Sequence, residues 1–333
     1  MKAVRFENQT VSIVDVPVPE IGGDEALVSI SMAGICGTDI EIYRGYADFT
    51  GIAGHEFVGE VHDCPAFPEL IGKRVVADIN CGCGRCHTCR CTGSRHCPDR
   101  TVIGIRGRDG AFAQYCRVPI ANLYPVPDNV ETICAVFAEP LAAALRITQQ
   151  IHIGHQSRIA VIGDGNLGIL AALGLAHYSS QVMLLGRHER KLAIAAAQGI
   201  RAACLTAGDR PETVAKRLEK FDVTIDATGN PEGINWAIAL TRPQGSVVIK
   251  TTSHSAGAVN LAPVAVNEVN LIGSRCGNLH QALQFLRCGW IDVMPLVESV
   301  YSFSGFEAAF ARARRKDSMK VVVAFSEDDF FSE

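Results

Sequence analysis

The sequence has 333 residues, 48% hydrophobic and 20% charged, which is enough apolar material for real cores and excludes a mainly disordered chain. At roughly 100–200 residues per domain, two domains are expected. A formal net charge of −4 leaves no footprint for DNA or RNA binding, and 7% Phe, Trp and Tyr is too little for a platform that stacks single strands. No run reaches the roughly 20 apolar residues that span a bilayer, so no membrane partner is expected. The opening segment Met1–Glu7 carries charges and no apolar h-region. No secretory signal is therefore expected, and the cytoplasm is the expected compartment.

The first zone, residues 1 to about 130, reads as β-rich. Short β-branched runs bounded by Pro or Gly fall at Val11–Val18, Ala26–Met32, Phe57–Val61, Arg74–Ile79 and Ala113–Val118. Their spacing predicts a partly closed β-barrel or small sandwich. From residue 141 to about 274 the character changes, and apolar strands alternate with Ala-rich helices. The predicted strands are Arg158–Ile162, Gln181–Leu185, Ala202–Leu205, Asp222–Asp226, Ser246–Lys250 and Val269–Ile272. Helices are expected at Leu167–His177 and at Glu189–Gln198, the latter stopped by Gly199. This alternation predicts an α/β fold with a parallel, doubly wound sheet. The tail adds helices at Leu279–Cys288 and Phe306–Arg315, a strand at Lys320–Phe325, and an acidic loose end at Ser326–Glu333.

The motif Gly163-Asp164-Gly165-Asn166-Leu167-Gly168 follows an apolar strand and opens a helix. In that context the first glycine makes a tight turn and the second lets backbone approach a pyrophosphate. The third allows close packing of helix on strand, with the helix N-terminus facing the phosphates. Gly163, Gly165, Asn166, Leu167 and Gly168 are therefore candidate dinucleotide-binding residues. About 20 residues on, where an NAD site usually carries an acid for the ribose 2′-hydroxyl, stand Gly186 and Arg187. A guanidinium suits a 2′-phosphate, with Arg190 and Lys191 close by, and this favours NADP over NAD.

Six of the 13 cysteines cluster at Cys81, Cys83, Cys86, Cys89, Cys91 and Cys97. Clustered cysteine in such a chain reads as metal before disulfide. Cys83, Cys86, Cys89 and Cys97 have the spacing C-x2-C-x2-C-x7-C, which suits a closed tetrahedral zinc site holding a loop that has no core of its own. No recognition-helix pattern follows, which disfavours a nucleic-acid zinc finger. A dispersed set joins Gly34–Asp39, Gly54-His55-Glu56 and Glu139-Pro140-Leu141. A thiolate, an imidazole and a carboxylate can hold zinc with a fourth position open, although spacing alone does not bring Cys36, His55 and Glu139 together.

With these motifs in this order, the chain resembles the zinc-dependent medium-chain alcohol/polyol dehydrogenases over nearly its whole length. The resemblance also rests on Asp109–Tyr115, Gly273-Ser274-Arg275 and Lys320-Val321-Val322. Glu139 in its Glu-Pro-Leu setting is similar to the sorbitol, threonine and glucose dehydrogenase branch. The resemblance implies a Rossmann domain, 141–274, inserted into a GroES-like catalytic domain of 1–140 plus 275–333. It implies one catalytic and one structural zinc, NADP or NAD, an alcohol or polyol substrate, and a homo-oligomer, either dimer or tetramer. Cys36, His55 and Glu139 would hold the catalytic zinc, with Glu56 as the competing carboxylate. Asp39 would orient His55, and Thr38 would take the substrate proton. Thr228, Arg275 and Lys320 would join the cofactor site, Lys320 facing either a cofactor phosphate or Asp39. Glu41 stands where some relatives extend the proton relay with histidine. Two other readings share the scaffold. One is a zinc-free quinone or enone reductase, which would lack the metal ligands. The other is a non-catalytic regulator that kept its zinc and cofactor.

Overall fold

A computed structural model describes residues 1–252 and 256–325. The chain forms two compact units, Met1–Glu139 with the tail from Leu279, and Pro140–Asn278.

The first unit is built on the strand Glu25–Gly34, whose alternating aliphatic residues bury both faces. One side of it pairs antiparallel with Glu56–Asp63. The other side is shared by Tyr115–Pro119 along Glu25–Ser29 and Lys320–Ala324 along Met32–Gly34. The seven-stranded sheet continues through Arg74–Ala77 to Leu123–Pro125 at one end and closes on Val297–Ser302 at the other. A three-stranded sheet of Thr10–Asp15, Lys2–Glu7 and Gly51–Ile52 lies apart from this path. Its strand Lys2–Glu7 turns Ala3, Val4 and Phe6 inward. Phe6 stacks on Phe112 at 6.1 Å between ring centroids and meets Phe310 edge-on at 5.4 Å, which joins the N-terminal strand to the tail helix Phe306–Ala313. Each such ring pair adds about 0.5–1.5 kcal/mol beyond its buried area.

The second unit is a six-stranded parallel sheet. Its order is Arg201–Cys204, Val182–Gly186, Ile159–Ile162, Phe221–Asp226, Thr241–Ile249 and Asn270–Gly273. Counted along the chain this is 3-2-1-4-5-6, with the strand order reversing between Ile159–Ile162 and Phe221–Asp226. Ligands bind outside the carboxyl ends of strands at such a reversal. Ile159–Ile162 and Val182–Gly186 are buried throughout, as strands covered on both faces must be. The helix Asn166–Ala176 is buried from Gly168 to Leu175, which accounts for its all-round apolar composition.

Among the strands of four residues or more, Lys2–Glu7 and Val297–Ser302 stand outside the sequence expectations, as do the short strands Gly51–Ile52, Asn80–Cys81, Thr101–Val102 and Leu123–Pro125. Lys2–Glu7 alternates charged and apolar residues, and Val297–Ser302 is only half-buried along its length, so neither shows an apolar run. Two expected strands shift. Val11–Val18 becomes Thr10–Asp15, ending short of Pro17 and Pro19. Ala113–Val118 becomes Tyr115–Pro119, and Ala113 makes only a single bridge to Ala3. The expected loose end, Ser326–Glu333, lies outside the described residues.

Candidate active site

Cys36 leaves the sheet in extended conformation and is the residue before the helix Gly37–Tyr43. Its backbone N–H donates to Asp39 Oδ2 at 2.8 Å, and the Asp39 N–H donates back to the Cys36 carbonyl at 3.1 Å. This reciprocal pair sets the thiol at the start of the helix. His55 and Glu56 arrive where the chain enters the strand Glu56–Asp63. Gly54 directs that entry. Its φ of +96° suits glycine, and a Cβ there would lie 2.8 Å from the Phe112 ring and backbone nitrogen. The buried phenylalanine cluster thereby positions His55.

The donor atoms of Cys36, His55 and Glu56 all lie within 4.8 Å of one another. His55 and Glu56 are buried and Cys36 is half-buried. His55 Nδ1 and Asp39 Oδ1 stand 3.3 Å apart, out of line for a hydrogen bond, and neither buried atom has a hydrogen-bond partner among the described residues. Burial opposes a charge on His55, yet Asp39 and Cys36 raise its pKa well above the usual histidine value. Thr38 Oγ1 lies 3.8 Å from Cys36 Sγ. A thiol, an imidazole and a carboxylate converging in a buried space, with the imidazole backed by a second carboxylate, form a donor set that fits zinc.

Lys320 is fully buried and ion-pairs with Glu56, and its ammonium also donates to the Ile35 carbonyl at 3.4 Å. Burial works against its charge, but Glu56 and Cys36 raise its pKa. Lys320, expected at a cofactor phosphate or at Asp39, therefore has its ion pair with Glu56. Glu139 stands half-buried in the first turn of the helix Ala138–Leu145 and is not one of the converging three.

In the cysteine lobe the sulfur atoms within 4.8 Å of one another are those of Cys83, Cys86, Cys89 and Cys97. Backbone N–H groups point at them, Cys83 N to Cys97 Sγ, Cys86 N to Cys83 Sγ and Cys89 N to Cys86 Sγ, each at 3.4 Å. The N–H groups of Arg85 and Cys86 lower the Cys83 thiol to about 6. Desolvation and the neighbouring Cys86 raise Cys89 to about 12. Four sulfurs so close cannot all ionise without a cation, and the set fits a tetrahedral zinc. No cysteine among the described residues is in a disulfide. Cys81 is buried against the Ile79 carbonyl, and Cys91 faces His87 at 3.5 Å one helical turn away, so both stand apart from the four.

In the second unit the glycines of the Gly163–Gly168 motif have distinct surroundings. A Cβ on Gly163, where φ is +118°, would lie 2.9 Å from Thr228 N and nearer still to the Ala227 carbonyl. A Cβ on Gly168 would collide with the Gly163 carbonyl. A Cβ on Gly165 would meet nothing within 4 Å, and Gly165 precedes the helix Asn166–Ala176 with no side chain capping its N–H groups. An open cradle of uncapped N–H groups fits a pyrophosphate. Thr228 donates from its backbone and hydroxyl to Asp226 Oδ1, at 3.0 and 2.8 Å, at the end of the neighbouring strand. The Arg275 carbonyl accepts from the buried Lys250 at 2.8 Å. Arg187 is exposed directly after Gly186.

Comparison with known proteins agrees with this geometry. Residues 22–128 match the alcohol dehydrogenase GroES-like domain, and residues 166–288 match the zinc-binding dehydrogenase domain. An L-threonine 3-dehydrogenase of Streptomyces coelicolor is 30% identical over 97% of this chain and 99% of its own. The chain belongs to the zinc-dependent alcohol dehydrogenase family. Among solved structures, an alcohol dehydrogenase from Escherichia coli CFT073 complexed with NADH is 25% identical, covers 98% of this chain and 99% of its own, and has a TM-score of 0.89. A zinc-binding dehydrogenase from Sinorhizobium meliloti 1021 bound to NADP is 27% identical, covers 97% and 99%, and has a TM-score of 0.88. The dehydrogenase is an NAD(P)-dependent oxidoreductase of alcohols with a GroES-like and a Rossmann domain. No helix among its described residues is long and apolar enough to cross a membrane.

Three features of the dehydrogenase escaped sequence reasoning. The partner of Glu56, Lys320, lies 264 positions away. Lys250 is buried, with its ammonium on the carbonyls of Ala143 and Arg275 at 2.6 and 2.8 Å. Its only signal was a charge ending an apolar strand. Asp164, inside the glycine motif, is buried and accepts the N–H groups of Arg187 and His188 at 2.6 and 2.7 Å. The motif treats that position as free, so only the glycine at 186 could have prompted a search for an acid elsewhere.

Proposed function

We propose that this dehydrogenase moves a hydride between NAD(P) and a secondary alcohol of polyol or sugar-derived type, at the Cys36–His55 cluster. The observation that carries the reading is the convergence of Cys36, His55 and Glu56 within 4.8 Å. That convergence counts against a zinc-free reductase and against a regulator with a decayed site. A bound zinc supplies Lewis-acid polarisation of the substrate oxygen, and a bound nicotinamide supplies the hydride acceptor or donor. Oxidation removes a hydride from carbon and a proton from oxygen. Thr38, beside Cys36, is the hydroxyl that takes that proton. Asp39 faces the His55 ring at 3.3 Å and is the carboxylate placed to orient it when His55 binds metal. Glu41 pairs with Arg44 at 2.7 Å on the surface, so the proton passes from Thr38 to solvent without a histidine relay.

Cys36 and His55 are the proposed fixed ligands. Glu56 supplies the carboxylate of the observed cluster, and Glu139 is the rival third ligand that the family resemblance implies. Cys83, Cys86, Cys89 and Cys97 are proposed to hold a second, structural zinc. The catalytic unit is 1–140 with 275–333, the cofactor unit is 141–274, and the working form is a cytoplasmic dimer or tetramer. The choice of cofactor turns on the adenosine ribose. Gly186 and Arg187 taken alone support NADP, while the Asp164 carboxylate beside them supports NAD.

Metal content measured beside activity tests the site, in wild type and Cys36→Ser, with a panel of polyols and sugar alcohols and both cofactors. Two zinc ions per chain in wild type, and one in an inactive variant, are expected. Equal zinc in both proteins would sink the Cys36 site. Glu56→Gln and Glu139→Gln in the same assay separate the two carboxylates, since the ligand's loss lowers zinc occupancy.

A further inference from the structure

Gly186 ends the second strand of the cofactor unit, where an acid ordinarily meets the adenosine ribose, and it has no side chain to offer. The space beside it is nevertheless filled. A Cβ placed on Gly186 would lie 2.5 Å from the Cβ of Asp164, 2.7 Å from its Cγ, and nearer still to Oδ2. The Asp164 carboxylate thus occupies the volume that a side chain at 186 would take. It is held there firmly. Oδ2 accepts the backbone N–H groups of Arg187 at 2.6 Å and His188 at 2.7 Å, and the His188 ring Nδ1 stands 3.1 Å from both oxygens.

Two consequences follow from chemistry. The N–H groups of Arg187 and His188, which could otherwise cradle an external anion, are already taken by an internal one. Among the described residues Oδ1 has the His188 ring as its one partner and retains capacity to accept from a hydroxyl. We propose that Asp164 sets the cofactor choice of this dehydrogenase. Its carboxylate stands in for the acid missing at 186, accepts from the ribose 2′-hydroxyl of NAD and repels the 2′-phosphate of NADP. This rests on the reading that Pro140–Asn278 is the dinucleotide-binding unit, and it reverses the preference that Gly186 and Arg187 alone would support. Arg187 offsets part of the carboxylate charge and is not the selector.

The test is equilibrium binding, by calorimetry on the full zinc-loaded chain, of NAD+ and NADP+ to wild type and Asp164→Asn. Wild type is expected to bind NAD+ more tightly. Asp164→Asn keeps the shape and one acceptor while removing the charge, and the ratio of Kd for NADP+ to Kd for NAD+ is expected to fall at least about tenfold. The swap Asp164→Gly with Gly186→Asp delivers the carboxylate from the strand end and is expected to restore the NAD preference. A comparison on wild type alone needs no variant: 2′,5′-ADP, which carries the extra phosphate, is expected to bind more weakly than 5′-ADP. Tighter binding of NADP+ or 2′,5′-ADP by wild type, or an unchanged ratio in Asp164→Asn, overturns the proposal and leaves the dinucleotide site standing. Failure of folded wild type to bind either dinucleotide overturns both together.

Discussion

Lys320 and Glu56 show how much depends on single side chains. Each is buried, and each neutralises the other inside the candidate catalytic cluster. Removing one partner of a buried pair leaves an uncompensated charge, which costs about 3–5 kcal/mol. Lys320→Met is therefore expected to lower the melting temperature of the metal-free chain, and adding Glu56→Gln is expected to recover much of the stability. Thermal unfolding of the single and double variants checks this. Gly54→Ala is the second residue-scale case. It places a Cβ against Phe112 at a positive φ, with an expected loss of about 1–3 kcal/mol and a sharper loss of activity, because His55 follows directly. Residues of this kind divide in how far sequence could reveal them. The four lobe cysteines showed a metal-binding pattern in residue type and spacing, whereas Cys36 and His55 were joined only by the resemblance to the family. Lys320 was marked by the same resemblance, facing a cofactor phosphate or Asp39, but its partner Glu56 was not legible, because only the sheet brings the two together.

Among elements, the strand Glu25–Gly34 opens on a charged anchor. Glu25 pairs with Arg108 at 2.8 Å and Arg117 at 3.5 Å and accepts the Gly22 N–H at 3.1 Å. Burial works against ionisation of Glu25, but Arg108 and the Gly22 N–H hold its pKa below the usual glutamate range. A lowered folded pKa adds stability above the unfolded value, about 4.3, and that stability is lost as pH falls through the folded value. Urea unfolding between neutral pH and pH 3 should therefore show a smaller acid loss for Glu25→Gln than for wild type. The cysteine lobe is the opposite kind of element, with four thiols in place of a core. Chelation is expected to open residues 83–97 to protease cuts while the parallel sheet keeps its far-UV signal. Strands and helices with clear apolar periodicity were legible: Phe221–Asp226, Leu279–Arg287 and Phe306–Ala313 lie within a few residues of their predicted bounds. Lys2–Glu7 and Val297–Ser302 were not, because their patterns acquire meaning only from a partner strand.

For the molecule as a whole, the two units have unequal claims to independence. Pro140–Asn278 contains all six strands of its sheet in one continuous stretch. The first unit depends on the tail, because Lys320–Ala324 lies between Glu25–Gly34 and Val297–Ser302 and is buried throughout. A fragment of residues 140–278 is expected to unfold cooperatively and to bind dinucleotide, whereas a fragment of residues 1–139 is expected to stay unfolded. Circular dichroism melts and calorimetry on the two fragments check both. The sequence by itself determined the class of chemistry and the parallel α/β architecture, since ligand residue types, the glycine motif and apolar periodicity are local properties of the chain. Only the tertiary structure showed that the Glu56 carboxylate lies beside Cys36 and His55, that Lys320 pairs with it, and that Asp164 stands beside Gly186. Those answers depend on distances between residues far apart in sequence, and these exist only once the sheets bring the residues together.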